Sequence, residues 1–319
     1  MLPMVSARTG NVPVYFDCLT KSQEDLYLPM MLKTADGRPY MGMVPNEEFG
    51  LQFDRPVDVM FDELGKNRAL VNSIMRTMLS HEIGMYKLPK GSRCFATTNI
   101  GAENVGDVLQ AQHYNRITRL RSKKISGEQW TVWGMDHDIL PELMTAAHEM
   151  PDMFVSFLDV ADPKDNNYIH DPRVPERTAF ATPRSLAKLN HILRARLTLG
   201  MDVTTQLAVG TVGAAAAKDI MAYVMLGDTL AKRDEILADP RKAKIPTNGA
   251  AHIMAAYSCA QWCERETFDN VFTYVQRLKA EAAMMFTRRV MGMRSKSGWV
   301  HRMSKFTEYA EKNYGLLAP

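Results

Sequence analysis

The chain has 319 residues, of which 46% are hydrophobic, and a formal net charge of +3 at pH 7. This length and apolar content are sufficient for one large domain or two smaller ones. The nearly balanced charge argues against a general polyelectrolyte that binds nucleic acids or membrane surfaces. No apolar stretch reaches the roughly 18–20 residues that span a bilayer, and residues 1–10 have no apolar core of signal-peptide length. We therefore expect a cytoplasmic protein.

Strand and helix signals alternate in the first part of the chain. Val12–Leu19 is β-branched and aromatic, which predicts a strand, and Val57–Phe61 is a short apolar run typical of a buried parallel strand. The helix predicted after it is expected to end at Gly84. Arg93–Ile100 predicts another strand, and Glu103–Leu120 predicts a helix that leads to a further short strand. This alternation indicates an α/β fold with an open parallel sheet.

From about Ser126 the strand signals fade and helical patterns dominate. A polar, proline-containing loop, Asp162–Arg184, separates short helical segments from longer ones, of which the last predicted helix is Asp269–Gly292. The prolines of Ala238–Pro246 predict a break between helices. We expect three parts, which are an α/β core (1–125), a helical domain (126–237) and a helical C-terminal extension (238–319).

Two adjacent acids, Asp62 and Glu63, end the strand predicted at Val57–Phe61. In open parallel sheets, ligands bind beyond the carboxyl ends of the strands. Two acids at that edge can have separate roles in ATP hydrolysis. One carboxylate holds Mg²⁺, usually through coordinated water, and the other polarises the water that attacks the γ-phosphate. The alternative is structural, because acids also favour the N-terminus of a following helix.

Three further residues stand where such a site needs them. Asn99 ends the next strand with an amide suited to orienting the attacking water, although Asn also ends strands as a turn former. Arg116 follows a predicted helix and can reach a neighbouring subunit's γ-phosphate, or it belongs to a solvated basic cluster with Arg119 and Arg121. Arg184 follows a proline in the first turn of a helix, with a local ion pair as the alternative.

These segments, in this order, resemble the AAA+ ATPases of the MoxR-like branch, in the forms common in phage and bacterial genomes. VDVMFDEL is similar to the family's Walker B strand, FATTN to sensor 1, HYNRITRL to the arginine-finger segment, and ATPRSL to the sensor 2 motif. YKLPKGSRCFATTNI, GTVGAAAAKDIMAYV and ILADPRKAKIP also resemble family segments, so the resemblance covers nearly the whole chain. It implies an AAA+ core with an open parallel sheet, followed by a helical lid and a helical C-terminal extension.

The resemblance also implies roles and partners. Glu63, Asn99 and Arg116 are the catalytic residues, Asp62 and Arg184 bind the nucleotide, and Asp62 is the metal ligand. The implied cofactors are ATP and Mg²⁺. Members of the family work as homo-oligomeric rings, usually hexamers, that remodel other proteins as chaperone-like motors. They often act with a partner that has a metal-dependent adhesion domain, and neither nucleic acid nor membrane is an expected partner.

The Walker A motif, G-x-x-x-x-G-K-[ST], does not occur in the sequence. Its backbone amides cradle phosphates and its lysine neutralises charge. GAENVGD has the glycine spacing but Asp107 in place of the lysine, and ELGKN has no preceding glycine. By the family's order the loop precedes Val12. We expect either a truncated product, which the intact Glu63, Asn99, Arg116 and Arg184 favour, or a descendant that lost nucleotide binding.

Both origins predict weak ATP affinity, and a non-hydrolysing scaffold with the same fold is the alternative function. Other candidate features are interpreted as structural. The segment Asp162–Asp171 lacks the central Gly and terminal Glu of a calcium loop. The four cysteines are expected to be reduced thiols, and the 23 methionines to pack a flexible core or interface.

A basic set near the C-terminus is interpreted as a solvated helix face, with a nucleic-acid or protein surface as the alternative. The set consists of Arg277, Lys279, Arg288, Arg289, Arg294, Lys296, Arg302 and Lys305.

Overall fold

The computed structural model of the protein describes residues 1–99, 109, 113 and 115–313. The chain divides into two compact units, Met1–Arg121 and Ser122–Pro319. The first unit contains a three-stranded parallel sheet and the second is helical, which confirms the α/β class. The division into a core, a lid and an extension stays a prediction. Among the described residues, no helix has the length and apolarity to cross a membrane.

The first unit has two α-helices and seven strands among its described residues. They are α1 (Leu2–Thr9), β1 (Val12–Asp17), β2 (Tyr27–Lys33), β3 (Pro39–Pro45), β4 (Val57–Asp62), α2 (Arg68–Ser80), β5 (Glu82–Ile83), β6 (Tyr86–Lys87) and β7 (Arg93–Ala96).

The parallel sheet has the strand order β1-β4-β7. Val12 pairs with Val57 at one end of the β1–β4 ladder, and Phe61 pairs with Ala96 on the other side of β4. The middle strand is buried from Val57 to Phe61, which is why its sequence is apolar on both faces except at Asp58. One face of the sheet packs against α2 in a core that includes Phe16, Val59 and Phe61.

Asp58, the second residue of β4, is fully buried and joins the sheet to α1. Its carboxylate accepts hydrogen bonds from Thr9 Oγ1 at 2.6 Å, Asn11 Nδ2 at 2.9 Å and Ser6 Oγ at 3.1 Å. Burial by itself would raise the pKa of Asp58, but these three donors together with Arg93 hold it below its ordinary value. A buried carboxylate is tolerated here because its oxygens are hydrogen-bonded.

Helix α2 ends earlier than its sequence predicts. The expected cap was Gly84, but the helix ends at Ser80 and His81 adopts the left-handed conformation, with φ 56°. The His81 amide donates to Thr77 O at 2.9 Å, which closes the last turn. Gly84, with φ 61°, instead occupies the turn between β5 and β6.

The antiparallel hairpin β2–β3 was not predicted from the sequence. Two apolar runs flank TADGR, whose Asp-Gly dipeptide is a known hairpin signal and could have revealed it. Both faces of the hairpin are apolar and largely exposed. Met30 and Met31 on β2 and Met41 and Met43 on β3 have exposed fractions of 51%, 64%, 60% and 41%.

This exposure predicts the order of methionine oxidation. With dilute hydrogen peroxide, we expect Met30, Met31 and Met41 to form sulfoxide well before Met144 and Met153, which are fully buried in the second unit. Peptide mass spectrometry over a time course measures both rates in one sample. Equal rates for the two groups would contradict the exposed position of the hairpin.

The helix predicted at Glu103–Leu120 lies largely outside the described residues. Its last part, 115–120, is described and consists of a turn, a bend and residues without regular secondary structure rather than helix. No strand follows within residues 115–126, so the short strand expected there is not formed.

The second unit has twelve α-helices among its described residues. They are α3 (Gly127–Met135), α4 (Pro141–Glu149), α5 (Pro183–Arg194), α6 (Arg196–Leu199), α7 (Met201–Val212), α8 (Ala214–Gly227), α9 (Arg233–Ala238), α10 (Gly249–Trp262), α11 (Phe268–Val275), α12 (Ala280–Gly292), α13 (Ser297–Val300) and α14 (Ser304–Lys312).

The buried apolar residues of this unit form one cluster that extends from Trp130 in α3 to Phe306 in α14. The predicted break at Ala238–Pro246 is present, because α9 ends at Ala238 and α10 begins at Gly249. Helices on both sides of the break nevertheless contribute to the same core.

The single helix predicted over Asp269–Gly292 is wrong, since it is divided into α11 and α12. At the division, the Arg277 guanidinium donates to the carbonyl oxygens of Pro240 and Ala243 at 2.6 and 2.9 Å. These partners lie more than 30 residues away, so a helical pattern cannot reveal them.

The loop expected at Asp162–Arg184 is held by arginines rather than simply solvated. Arg173 forms two hydrogen bonds with the buried Asp171, Nε–Oδ1 at 2.9 Å and Nη2–Oδ2 at 2.7 Å. The Arg173 guanidinium holds the pKa of Asp171 below its ordinary value. Arg177 Nη1 donates to the carbonyl oxygens of Asn166 and Ile169, both at 2.8 Å. The loop ends at Thr182, where α5 is capped.

Several members of the C-terminal basic set have partners within the protein, and a solvated face is wrong for Lys296 and Arg289, which are buried or half-buried, whereas Lys305 is exposed. Lys296 is only 4% exposed and its ammonium donates to the carbonyl oxygens of Gln261 and Cys263, at the C-terminal end of α10. Arg289 donates to Thr131 Oγ1 at 2.9 Å, and Lys305 to Thr273 Oγ1 at 3.0 Å. These cations stabilise the helical unit.

Candidate functional site

The predicted acids lie at the carboxyl edge of the parallel sheet. Asp62 is the last residue of β4, and Glu63 follows in the left-handed conformation with φ 54° and ψ 39°. This conformation is uncommon for a residue other than glycine and costs on the order of 1–3 kcal/mol. It turns the chain sharply after the strand, so that the two neighbouring carboxylates need not point to opposite faces of the sheet.

Backbone hydrogen bonds fix this turn against the end of β7. The Thr97 amide donates to Phe61 O at 2.9 Å, and the Leu64 amide donates to Thr97 O at 2.9 Å. The Gly65 amide donates to Thr98 Oγ1 at 3.2 Å. The segments 61–65 and 97–98 therefore form one hydrogen-bonded unit, which holds the strained Glu63 in place.

Glu63 and Asn99 are in direct contact, although 36 residues separate them. Asn99 Nδ2 donates to Glu63 Oε2 at 3.0 Å and to Oε1 at 3.3 Å. Both side chains are half-buried, and Glu63 directly follows β4 whereas Asn99 lies three residues after the end of β7. A carboxylate and an amide at this distance can together orient a water molecule, since one accepts a proton and the other donates a hydrogen bond.

Asp62 is held by two hydroxyl groups. Tyr15 Oη donates to Asp62 Oδ2 at 2.7 Å, and Thr97 Oγ1 donates to Asp62 Oδ1. The hydrogen bond to Asp62 is the main cause that raises the pKa of Tyr15 to about 12, with smaller contributions from burial and from nearby carboxylates. Tyr15 therefore keeps its proton and acts as a donor at neutral pH. The sequence did not reveal Tyr15 or Thr97 as site residues.

A further carboxylate, that of Asp17, lies at the carboxyl edge of the sheet. Asp17, the last residue of β1, pairs with Asp62 in the sheet register. Its carboxylate accepts hydrogen bonds from the Leu19 amide at 2.9 Å and from Thr20 Oγ1 at 3.1 Å. Burial, followed by the charges of Asp17, Asp62 and Glu63, raises the pKa of the Cys18 thiol to about 12. The thiol is therefore not a nucleophile at neutral pH.

The donor set fits a magnesium ion that also binds a phosphate. In the described parts of the chain, no three His, Cys, Asp or Glu side chains are grouped so as to enclose a metal. Magnesium does not require such a group, because it is usually bound by one or two carboxylates together with water and substrate phosphates. Each carboxylate oxygen can accept two hydrogen bonds or ligands, so Asp62 retains acceptor capacity.

Arg116 lies in the first unit, in an exposed turn after His113. Its amide donates to His113 O at 3.0 Å. Among the residues that the structure describes, its guanidinium has no hydrogen-bond or ion-pair partner, which leaves it accessible to an anion.

Arg184 lies in the second unit, at the second position of α5. The helix has Pro183 at its first position, and Thr182 and Ser185 form a reciprocal capping box. The predicted helix start is therefore confirmed. The local ion pair considered for Arg184 is not formed with any described residue. A cation is unfavourable at the N-terminal end of a helix, where the dipole attracts anions instead.

The structure thus brings Asp62, Glu63 and Asn99 together within the first unit. The roles of these residues and of Arg116 and Arg184 stay predictions. Comparison of the chain with protein-family models, with characterised proteins and with solved structures found no match.

Proposed function

We propose that the carboxyl edge of the β1-β4-β7 sheet is the magnesium-binding and water-orienting half of an ATP-hydrolysis site of the AAA+, MoxR-like type. The contact between Glu63 and Asn99 is the observation that carries the proposal. It joins an acid and an amide from two different strand ends, beside a second acid and with strained backbone at the acid itself. Strained residues are concentrated at functional sites.

The chain's own residues have distinct tasks in this proposal. Asp62 holds Mg²⁺, usually through coordinated water, and the bound ion supplies neutralising charge to the phosphate oxygens. Glu63 polarises the attacking water and Asn99 orients it. Because Asn99 donates to both oxygens of Glu63, it also restricts the orientation of that carboxylate.

Two arginines outside this edge of the sheet, Arg116 and Arg184, also have roles in the proposal. Arg116 reaches the γ-phosphate bound by a neighbouring copy, which requires a homo-oligomeric ring, in this family usually a hexamer. Arg184, in the first turn of α5, is the second residue that we propose to bind nucleotide. Their exposure and lack of partners among the described residues support these roles, since a cation without an acid is available to phosphate. ATP turnover in such rings drives the remodelling of other proteins.

A non-hydrolysing scaffold is the second candidate. The 319 residues contain no G-x-x-x-x-G-K-[ST] segment, the loop that normally binds the β- and γ-phosphates, so these residues by themselves offer fewer phosphate contacts than a complete ATPase site. ATP hydrolysis therefore depends on phosphate-binding groups that this sequence does not supply.

Binding of a fluorescent ATP analogue, with and without Mg²⁺, tests the proposal. We expect binding weaker than the micromolar range, because the phosphate-binding loop makes no contribution. It should require Mg²⁺ and decrease several-fold in Asp62→Asn and Arg184→Ala. Matched controls are Asp54→Asn, an exposed acid in the first unit, and Lys188→Ala, an exposed cation on α5.

Three outcomes are decisive. Binding that Mg²⁺ and the two substitutions leave unchanged would contradict the ATPase proposal. Complete absence of Mg²⁺-dependent binding would support the scaffold. Micromolar affinity that disappears in Glu63→Ala and Arg184→Ala would show that these residues bind the nucleotide tightly without a Walker A loop.

A further inference from the structure

A row of three polar side chains crosses the parallel sheet at its carboxyl edge. Tyr15 comes from β1, Asp62 from β4, and Thr97 directly follows β7. The two hydroxyl groups donate to different oxygens of the central carboxylate. The acceptor Asp62 lies between the two donors, just as β4 lies between β1 and β7 in the sheet.

The sheet register explains why the three side chains meet. Tyr15 pairs with Met60, two residues before Asp62, so both residues face the same side of the sheet. Phe95 also pairs with Met60, and Thr97 follows it by two residues. The opposite side of the same strands carries Val14, Phe16, Val59 and Phe61 of the apolar core, so the row lies on the side that faces away from this core.

The row limits the freedom of the Asp62 carboxylate. A carboxylate with one hydroxyl donor can still rotate about its last bond, but donors on both oxygens fix its plane. Its remaining acceptor positions then have fixed directions. Preorganised ligands bind metal ions more tightly, because less conformational freedom is lost on binding.

The solvent exposure of Tyr15 bears on why its hydroxyl bonds Asp62. The side chain is 53% exposed, so its hydroxyl could be hydrated and does not need a protein acceptor. Its bond to Asp62 is therefore not required for burial.

We propose that Tyr15 and Thr97 are positioning residues that hold Asp62 in the orientation in which it binds a divalent cation. This inference rests on the proposed function, because it takes Asp62 as the metal ligand. Neither hydroxyl group contacts the cation, and both act through the carboxylate.

Titration of the protein with Mn²⁺, followed by the loss of the free-ion electron paramagnetic resonance signal, tests this without nucleotide. We expect Tyr15→Phe and Thr97→Val each to weaken Mn²⁺ binding about tenfold, the lower range for outer-shell partners of metal ligands. Thr97→Ser keeps the hydroxyl and should bind like the wild type. Asp62→Asn should abolish this binding.

Controls separate positioning from stability. Tyr27→Phe removes a hydroxyl that has no bond to Asp62 and accepts a hydrogen bond from Gln23 Nε2 at 3.1 Å. This variant should leave Mn²⁺ binding unchanged. Thermal melting of each variant shows whether it is folded. If Thr97→Val fails to fold, the exposed Tyr15→Phe decides alone.

The inference is overturned if Tyr15→Phe binds Mn²⁺ as tightly as the wild type, or if the wild type has no Mn²⁺ site that Asp62→Asn removes. Failure of the proposed function is distinguishable from this. In that case Tyr15→Phe and Thr97→Val weaken Mn²⁺ binding as expected, while the ATP analogue shows no Mg²⁺-dependent binding.

Discussion

Replacing Asp58 with alanine is expected to lower the unfolding free energy of the first unit by about 3 kcal/mol. The carboxylate is fully buried and accepts three hydrogen bonds from α1 and the residues after it. Hydrogen bonds to a charged group contribute roughly 1.5–3 kcal/mol, and the substitution leaves Ser6 and Thr9 without their acceptor. All four tryptophans lie in the second unit, so hydrogen exchange of β4 peptides is the suitable measurement.

Asp54→Asn is the control, since Asp54 is exposed four residues earlier on the chain. Asparagine tolerates the left-handed conformation of this position, so its effect should remain within about 0.5 kcal/mol. If Asp58→Ala exchanges its β4 amides no faster than this control does, the carboxylate does not hold α1 to the sheet.

The pH dependence follows from the lowered pKa of Asp58. The Asp58 carboxylate binds a proton less tightly in the folded state than in the unfolded state, where its pKa has the ordinary value of 3.8. The contribution to stability is therefore complete well above pH 3.8 and is lost as the pH falls through this value toward the lower folded-state pKa. The difference in stability between wild type and Asp58→Ala should narrow over the same interval.

Phe268→Ala is expected to destabilise the second unit by about 3–5 kcal/mol. Phe268 is fully buried, and its ring lies 5.2 Å from that of Phe272, 5.7 Å from Trp299 and 6.1 Å from Phe306, measured between centroids. It thus joins α11, α13 and α14. The substitution leaves a cavity that rigid helices fill only partly, because interiors are close-packed. Urea unfolding followed by tryptophan fluorescence measures the loss.

Two variants calibrate this result. Phe268→Leu keeps most of the apolar volume and should cost clearly less than the alanine variant. Phe53→Ala makes the same chemical change at a side chain that is 63% exposed, in the first unit, and should leave the fluorescence transition in place. Equal midpoints for Phe268→Ala and Phe53→Ala would show that the aromatic cluster does not stabilise the helices.

The strands of the parallel sheet were predictable because their signals are local, although β1 ends at Asp17 rather than at Leu19 and β7 ends at Ala96 rather than at Ile100. Val57–Phe61 is apolar at every position except Asp58, as a middle parallel strand requires, and the structure extends it only to Asp62. The start of α5 at Pro183 was equally local, since proline and the capping residues act within one turn.

Helix ends were less predictable where distant groups compete for the backbone. A glycine at position 84 is a reasonable cap, yet His81 takes this role and Gly84 is used in a turn. The division of α11 from α12 depends on Arg277 and on carbonyl groups of residues 240 and 243. Propensity and periodicity describe only near neighbours, so they could not indicate either result.

For the candidate site, the sequence by itself determined which polar groups end the adjacent apolar runs, namely Asp62, Glu63 and Asn99. Only the tertiary structure decided their contacts. It set Asn99 against Glu63 and brought Tyr15 and Thr97 to Asp62 across separations of 47 and 35 residues. The physical reason is that strand pairing and register depend on the packing of a shared core, which no local segment specifies.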